Sequence, residues 1–422
     1  MRPLIIIGFL FFVFGFVTWM SSVLVPYLQI ACELDQFESQ LVAFAFYISY
    51  FVMAVPSGYL LKKSGLKNGM AIGLLVMALG AFIFIPAAQN RQYLLFLIGL
   101  FVQGTGLAIL QTASNPYVTI LGPMESAAKR ISVMGICNGI AGILGPAVLG
   151  VVLLDGVEEL ASSLTNMASA SKAAALDVLA QKVILPYIII GIALFALAVF
   201  IIKSSLPEIS EPEESTETSG PGMTSIWQFP HLILGVLTLF LYTGVEVIAG
   251  NTIIGYATFQ GIPMSSARFF TSFTLTSMLA GYLIGIFAIP RWCSQENALK
   301  ISAVSGIIFS IAALLSVGWL SVFFIALLGL ANALMWPSIW PLAIRGLGSF
   351  TNTGSAMLVM AIAGGAVLPL VYGKLADLYS PHTGYLILIP CYLFILYYAV
   401  SGHQAGTRIK PEALAPSSPS TP

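Results

Sequence analysis

Residues 232–259 read LILGVLTLFLYTGVEVIAGNTIIGYATF, an apolar run broken by a single carboxylate, Glu246. The run exceeds the roughly 20 residues a helix needs to cross a hydrocarbon core of about 30 Å. A charge at that depth costs roughly 2.5–3.5 kcal/mol on insertion scales, so a retained carboxylate reads first as a group that handles an ion or a ligand. The alternative is a protonated carboxyl donating a hydrogen bond to a neighbouring helix.

The rest of the chain repeats the pattern. Of 422 residues, 58% are hydrophobic and 8% charged, and the mean hydropathy is +0.95. That leaves too little polar surface to cover a soluble globule. Twelve runs are long enough to span a membrane. They cover Leu4–Ile30, Gln40–Leu61, Gly69–Ala88, Tyr93–Ile120, Ile131–Leu154 and Val183–Leu206 in one half. His231–Phe259, Ala267–Pro290, Ala298–Leu315, Trp319–Ile344, Ser355–Leu375 and Tyr385–Ser401 follow in the other. The expected fold is an all-α membrane protein.

An even span count puts both termini on one side, and basic residues identify the cytoplasmic side. With the N-terminus inside, Arg2, Lys62, Lys63, Lys67, Lys129, Arg130, Lys203, Arg291, Lys300, Arg345, Arg408 and Lys410 are cytoplasmic, twelve of 17. Arg2 and the first run imitate a signal peptide, but the run is too long and lacks a cleavage motif, so it is read as a retained span. The setting expected is a bacterial inner membrane. The zero net charge argues against a nucleic-acid partner. Cys32, Cys137, Cys293 and Cys391 lack metal-ligand spacing and read as packing residues.

Between Leu206 and Gln228 the chain turns acidic and rich in proline, glycine and serine, a solvated linker. The expected organisation is a six-helix bundle over 1–206, a cytoplasmic linker over 207–227, a second bundle over 228–403 and a cytoplasmic tail over 404–422. At an offset of about 225 to 229 residues, Gly15, Ser22 and Tyr27 fall on Gly244, Asn251 and Tyr256. Gln111, Asn115 and Pro116 fall similarly on Trp336, Trp340 and Pro341. Parallel six-span repeats are a layout of alternating-access transporters, with the ligand held between the halves. Pro116, Pro337 and Pro341 are expected to break their helices, freeing carbonyls that protein or an aqueous cavity must receive.

After the second run, Gly58-Tyr59-Leu60-Leu61-Lys62-Lys63-Ser64-Gly65-Leu66-Lys67-Asn68 resembles the loop signature of the major facilitator superfamily, with Lys62 in place of the usual aspartate. A closer likeness is carried by Leu110-Gln111-Thr112-Ala113-Ser114-Asn115-Pro116-Tyr117-Val118, Leu121-Gly122-Pro123 and Ala127-Ala128-Lys129-Arg130-Ile131-Ser132-Val133-Met134-Gly135. Gly244-Val245-Glu246-Val247-Ile248-Ala249-Gly250, Gly329-Leu330-Ala331-Asn332-Ala333-Leu334, Trp336-Pro337-Ser338-Ile339-Trp340-Pro341 and Thr353-Gly354-Ser355-Ala356 extend it. Over Phe11 to Gly402 the chain resembles the fucose, glucose/galactose and N-acetylglucosamine permeases, a family of sugar:cation symporters. The resemblance implies two pseudo-symmetric six-helix bundles, transport activity and a hexose or N-acetylhexosamine substrate. The fucose branch carries carboxylates where this chain has Ser22 and Gln111, so coupling through those two positions is not expected here.

Of 17 Asp and Glu residues, all but Glu246 fall in loops, tails or span ends. Glu246 is therefore the expected coupling residue. Removal from water favours its neutral form, so it can take a proton, or else it can bind Na+ with nearby oxygens. No resident cofactor or metal is implied. A sugar needs neutral hydrogen-bonding partners and flat apolar surfaces. Gln111, Asn115, Asn138, Asn251 and Asn332 supply the first, and Trp19, Trp336 and Trp340 the second. Each amide is as readily an interhelical hydrogen bond, worth about 0.6 kcal/mol.

Lys129 and Arg130 with Glu125 read as a cytoplasmic gate cluster, and Asp155–Lys182 as a partly helical outward segment. His231 and His382 sit near span ends and receive no role. The competing readings are an uncoupled facilitator or exchanger of the same fold, a drug exporter and a non-transporting sugar receptor. An intramembrane enzyme lacks a second embedded carboxylate and any hydrolase or zinc motif. A monomer in the lipid bilayer, with sugar as its small-molecule partner, is expected.

Overall fold

The computed structural model describes residues 2–120, 127–164, 167–204, 206, 225–289, 293–347 and 350–406. The first half contains α1 (Arg2–Ala31), α2 (Gln36–Ser64), α3 (Leu66–Gln89), α4 (Tyr93–Ile120), α5 (Ala127–Leu153), α6 (Val157–Leu164), α7 (Ser169–Gln181) and α8 (Ile184–Lys203). The second contains α9 (Pro230–Asn251), α10 (Ile253–Phe259), α11 (Met264–Ala267), α12 (Phe270–Ala288), α13 (Gln295–Leu315) and α14 (Gly318–Asn332). It continues through α15 (Met335–Ile344), α16 (Thr351–Met360), α17 (Gly364–Leu378), α18 (Pro381–Gly384) and α19 (Leu388–Val400). Twelve helical spans among the described residues are long and apolar enough to cross a membrane, as the sequence predicts. Most of the linker and tail, and the Glu125, Lys129 and Arg130 side chains, lie outside the described residues.

Helix pairs within each half approach closely where side chains are small. Gly73 and Gly80 of α3 face Gly106 and Gly99 of α4, and a Cβ at Gly106 would lie 2.4 Å from the Gly73 carbonyl oxygen. In lipid, where apolar burial gives no net drive, such close backbone packing is a principal source of helix association. The outer surface is correspondingly apolar, with Val55, Leu94, Leu185 and Phe287 among many exposed aliphatic and aromatic side chains. The four cysteines are free thiols.

Several spans are interrupted near the centre or close to the ends. In the tenth, the break lies at Ala333–Leu334, ahead of the prolines that the sequence singles out. Pro337 is the third residue of α15, where a missing N–H costs nothing, but its ring collides with a helical carbonyl four residues earlier, at Ala333. The interruption therefore precedes its cause. Positions 116 and 341 differ from expectation: α4 continues through the first to Ile120, and α15 through the second to Ile344, without a break. In the eleventh span, a tight turn at Ala361–Ala363 separates α16 from α17, and the Thr243 hydroxyl of α9 donates to the Ala361 carbonyl at 3.2 Å.

The segment between the fifth and sixth spans forms two helices, α6 and α7, and α7 is tied to the first half. The Tyr27 hydroxyl donates to carbonyls of Leu179 and Ala180, Lys172 pairs with Glu33, and Arg91 pairs with Asp177 at 3.3 Å. We call this side the loop-helix face, and the opposite side the termini face. The halves meet chiefly where α2 packs on α17 and α5 on α12. Several hydrogen bonds and an ion pair that join the halves lie toward the loop-helix face.

Candidate functional site

From Tyr242 to Asn251 every residue of α9 is buried except Glu246, which is partly exposed. Residues three and four positions away on the same helix face, Tyr242, Thr243, Ala249 and Gly250, are all buried. A lipid-facing stripe would expose those neighbours as well. The carboxyl is therefore on a face of α9 turned into the protein and not toward lipid.

Tyr242 donates its hydroxyl to Glu246 Oε1 at 2.9 Å. The charge at Glu246 also reaches Tyr47, Tyr282 and Tyr392. These phenols come from α2, α12 and α19, so the carboxylate sits among tyrosines drawn from both halves. Tyr47 is the contribution of the first half; its ring packs over Gly365, where a Cβ would lie 3.2 Å away. A phenol offers a donor without a competing charge, which stabilises a carboxylate while leaving it free to take a proton.

The tryptophans converge on the same region. Trp336 and Trp340 stack with centroids 5.4 Å apart and planes at 27°, and Tyr242 lies 6.4 Å from Trp336. Both indoles are partly exposed, as a ligand platform requires. Trp19 is a wedge between the halves: a Cβ at Gly142 of α5 would lie 2.8 Å from its ring, and one at Gly250 of α9 2.3 Å. It packs with Leu275, Met278 and Ala333, and Tyr282 flanks that group.

The amides divide. Asn251 is fully buried and exchanges hydrogen bonds with Ser21 of the other half, Nδ2 donating at 3.1 Å. Asn332 is buried, and its Oδ1 accepts from the Tyr392 hydroxyl at 2.8 Å. Both thus serve interhelical bonds that would have to open before they could hold a ligand. Gln111 and Asn138 are partly exposed, and Asn138 lies beside Gly15 of α1. The Asn115 side chain is outside the described residues. Ser22 is buried and donates to the Trp19 carbonyl at 2.7 Å.

The two histidines near span ends are held by the protein. His231 is buried with Nε2 on the Arg345 carbonyl at 2.9 Å, and His382 meets Tyr256 through Nδ1 at 2.8 Å and the Leu314 carbonyl through Nε2 at 2.9 Å. Sequence reasoning missed the tyrosines. Tyr242 alone carried a readable signal, one helical turn before Glu246.

Known proteins share this architecture. The chain is 35% identical over 399 residues to a glucose/galactose transporter of Brucella abortus, covering 94% of this chain and 93% of the relative. It is 30% identical to the L-fucose-proton symporter of Escherichia coli, covering 96% and 94%. The crystal structure of the transporter FucP in the outward conformation superposes with a TM-score of 0.69 at 28% identity, over 94% of this chain and 97% of that one. Residues 7–367 match the family description Major Facilitator Superfamily. Twelve spans in two bundles, a carboxylate between them and these matches establish that the chain belongs to the Major Facilitator Superfamily, a membrane transporter and not an enzyme.

Proposed function

We propose that the chain is a secondary active transporter that imports a hexose or N-acetylhexosamine by alternating access, with Glu246 as the coupling residue. The observation that carries the reading is the exposure of Glu246 alone in a buried stretch of α9, among phenols and beside the Trp336–Trp340 pair. Two relatives are named L-fucose-proton symporter, so we take the proton rather than sodium as the coupling ion. The names of the relatives favour glucose or galactose, with fucose second. Trp336, Trp340 and Trp19 supply apolar platforms, and Gln111, Asn115 and Asn138 polar contacts, while Asn251 and Asn332 join the site as their interhelical bonds exchange.

Coupling follows from charge. An empty carrier with ionised Glu246 and a loaded carrier with neutral Glu246 differ by one proton and one sugar. If the two bind with mutual preference, the gradient of one drives accumulation of the other. With the N-terminus inside, the loop-helix face, where bonds join the halves, is the external one.

Uptake of labelled glucose, galactose, fucose and N-acetylglucosamine into proteoliposomes, with proton and sodium gradients imposed separately, tests the reading. Glu246→Gln is expected to abolish uphill accumulation while counterflow exchange survives. Accumulation undiminished in that variant defeats the coupling role. The second reading, an uncoupled facilitator, draws on the Tyr242–Glu246 bond within one helix, which a purely structural carboxyl would also form. Counterflow indifferent to any gradient in the unaltered protein would favour it.

A further inference from the structure

Two backbone amides at the loop-helix face, Gln36 and Met264, lie 228 residues apart, within the repeat offset, and each donates to a carboxylate of the opposite half. Gln36 is the first residue of α2. Its N–H donates to Asp377 Oδ1 at 2.9 Å, and the N–H of Phe37 to Oδ2 at 2.8 Å. Met264 begins the eighth span, the repeat partner of the second, and its N–H donates to Glu158 Oε2 at 2.8 Å. Three residues before Glu158, Asp155 pairs with Arg268 at 2.9 Å.

The carboxylates lie at the same ends of repeat-related spans, the fifth and the eleventh. Asp377 is near the end of α17, in the eleventh span, and Asp155 and Glu158 follow the end of the fifth. One set of bonds bridges α2 and α17, the other the segment just after α5 and the start of the eighth span, beside the two lines where the halves meet.

We propose that Asp377, Asp155 and Glu158 are positioning residues of the transport cycle, which hold the two halves shut at the loop-helix face and must let go together before that face opens. The N–H groups at a helix start have no partners within the helix. In α2 the chain's own Asp35 takes the N–H of Glu38 at 2.6 Å, and Asp377 takes the two that precede it. Bonds to an ionised acceptor are the strong kind, and both bonds at Asp377 hang on one planar group, so they are lost in one movement. Gly373, four residues before Asp377, allows the approach: a Cβ there would lie 2.8 Å from the Gln36 carbonyl oxygen. The bonds at Glu158 and Asp155 resist opening along the other seam. Water can replace each bond once the face parts, which keeps the device reversible.

The test measures distance without sugar or gradient, so its outcome is independent of the proposed substrate and coupling. Spin labels are placed at Asn90→Cys and Leu315→Cys, both exposed near that face, in the full chain with Cys32, Cys137, Cys293 and Cys391 replaced by serine. Pulsed dipolar spectroscopy in nanodiscs then reports the spacing of the halves. Asp377→Ala with Glu158→Ala is expected to raise the ratio of long to short distances about tenfold or more, the scale of one lost hydrogen bond to a charged group. Isosteric Asp377→Asn should give a smaller shift in the same direction, covering the case in which the double variant fails to fold. The charge exchange Asp155→Arg with Arg268→Asp should restore the short distance that Asp155→Arg alone disturbs. A distance distribution that stays the same in Asp377→Asn and in Asp155→Arg overturns the proposal.

Discussion

Tyr242 and Glu246 stand one turn apart on α9 with the phenol hydroxyl 2.9 Å from Oε1, so the group proposed to carry charge is held by its own helix. A hydrogen bond to a charged group is worth about 1.5–3 kcal/mol. Tyr242→Phe removes that bond and should lower uphill accumulation of sugar about tenfold, while counterflow exchange survives. Uptake and counterflow in proteoliposomes measure both; accumulation undiminished in the variant would mark the hydroxyl as structural.

The stacked indoles predict a separation of affinity from coupling. Trp340→Ala removes half of the platform while leaving Glu246 and Tyr242 in place. The KM for sugar should rise about tenfold, equivalent to about 1.4 kcal/mol of binding. The ratio of internal to external sugar at low load should change little. Kinetics of uptake across a concentration series measures both.

Close packing of α3 on α4 leaves no room for a larger side chain at Gly80. A Cβ there would meet Gln103 at 2.6 Å and the Gly99 carbonyl oxygen at 2.7 Å. Gly80→Val should cost about 1–3 kcal/mol through overpacking. A lower midpoint of thermal aggregation in detergent, with exchange intact at low temperature, is the expected result.

At the loop-helix face, Glu33 has its carboxyl held below the usual carboxylate range, first by the hydrogen bond from Lys172. A depressed value in the folded state means that the pair stabilises the docked α7 above the ordinary carboxylate range, and that this contribution is lost as pH falls through the depressed value. The effect is modest because the pair is exposed. Hydrogen exchange of α7 amides should quicken on acidification, and Lys172→Met should remove that dependence on pH.

The twelve spans are legible from composition because a membrane fixes helix length, and the structure returns most of them with shifts of a few residues, while the sixth starts earlier, at Ser169, and the seventh ends earlier, at Asn251. The break before α15 was misplaced for a definite reason: a proline acts on the carbonyl four residues behind it, and near a helix start it is otherwise tolerated. Glu246 stood out because a carboxylate in an apolar run is unusual in any context. Its phenol partners did not. Tyr47, Tyr282 and Tyr392 are scattered over the chain, and their convergence is a property of tertiary packing. Nor can sequence separate Asn251, which joins two helices, from Asn138, which is partly exposed, because both are amides in apolar runs.

Tyr27, Glu33 and Arg91 fasten α7 to the first half. A fluorophore or antibody fragment seated on that helix would ride with one bundle as a rigid body. Paired with a mark on the second bundle, it would turn the protein into its own single-molecule reporter of turnover.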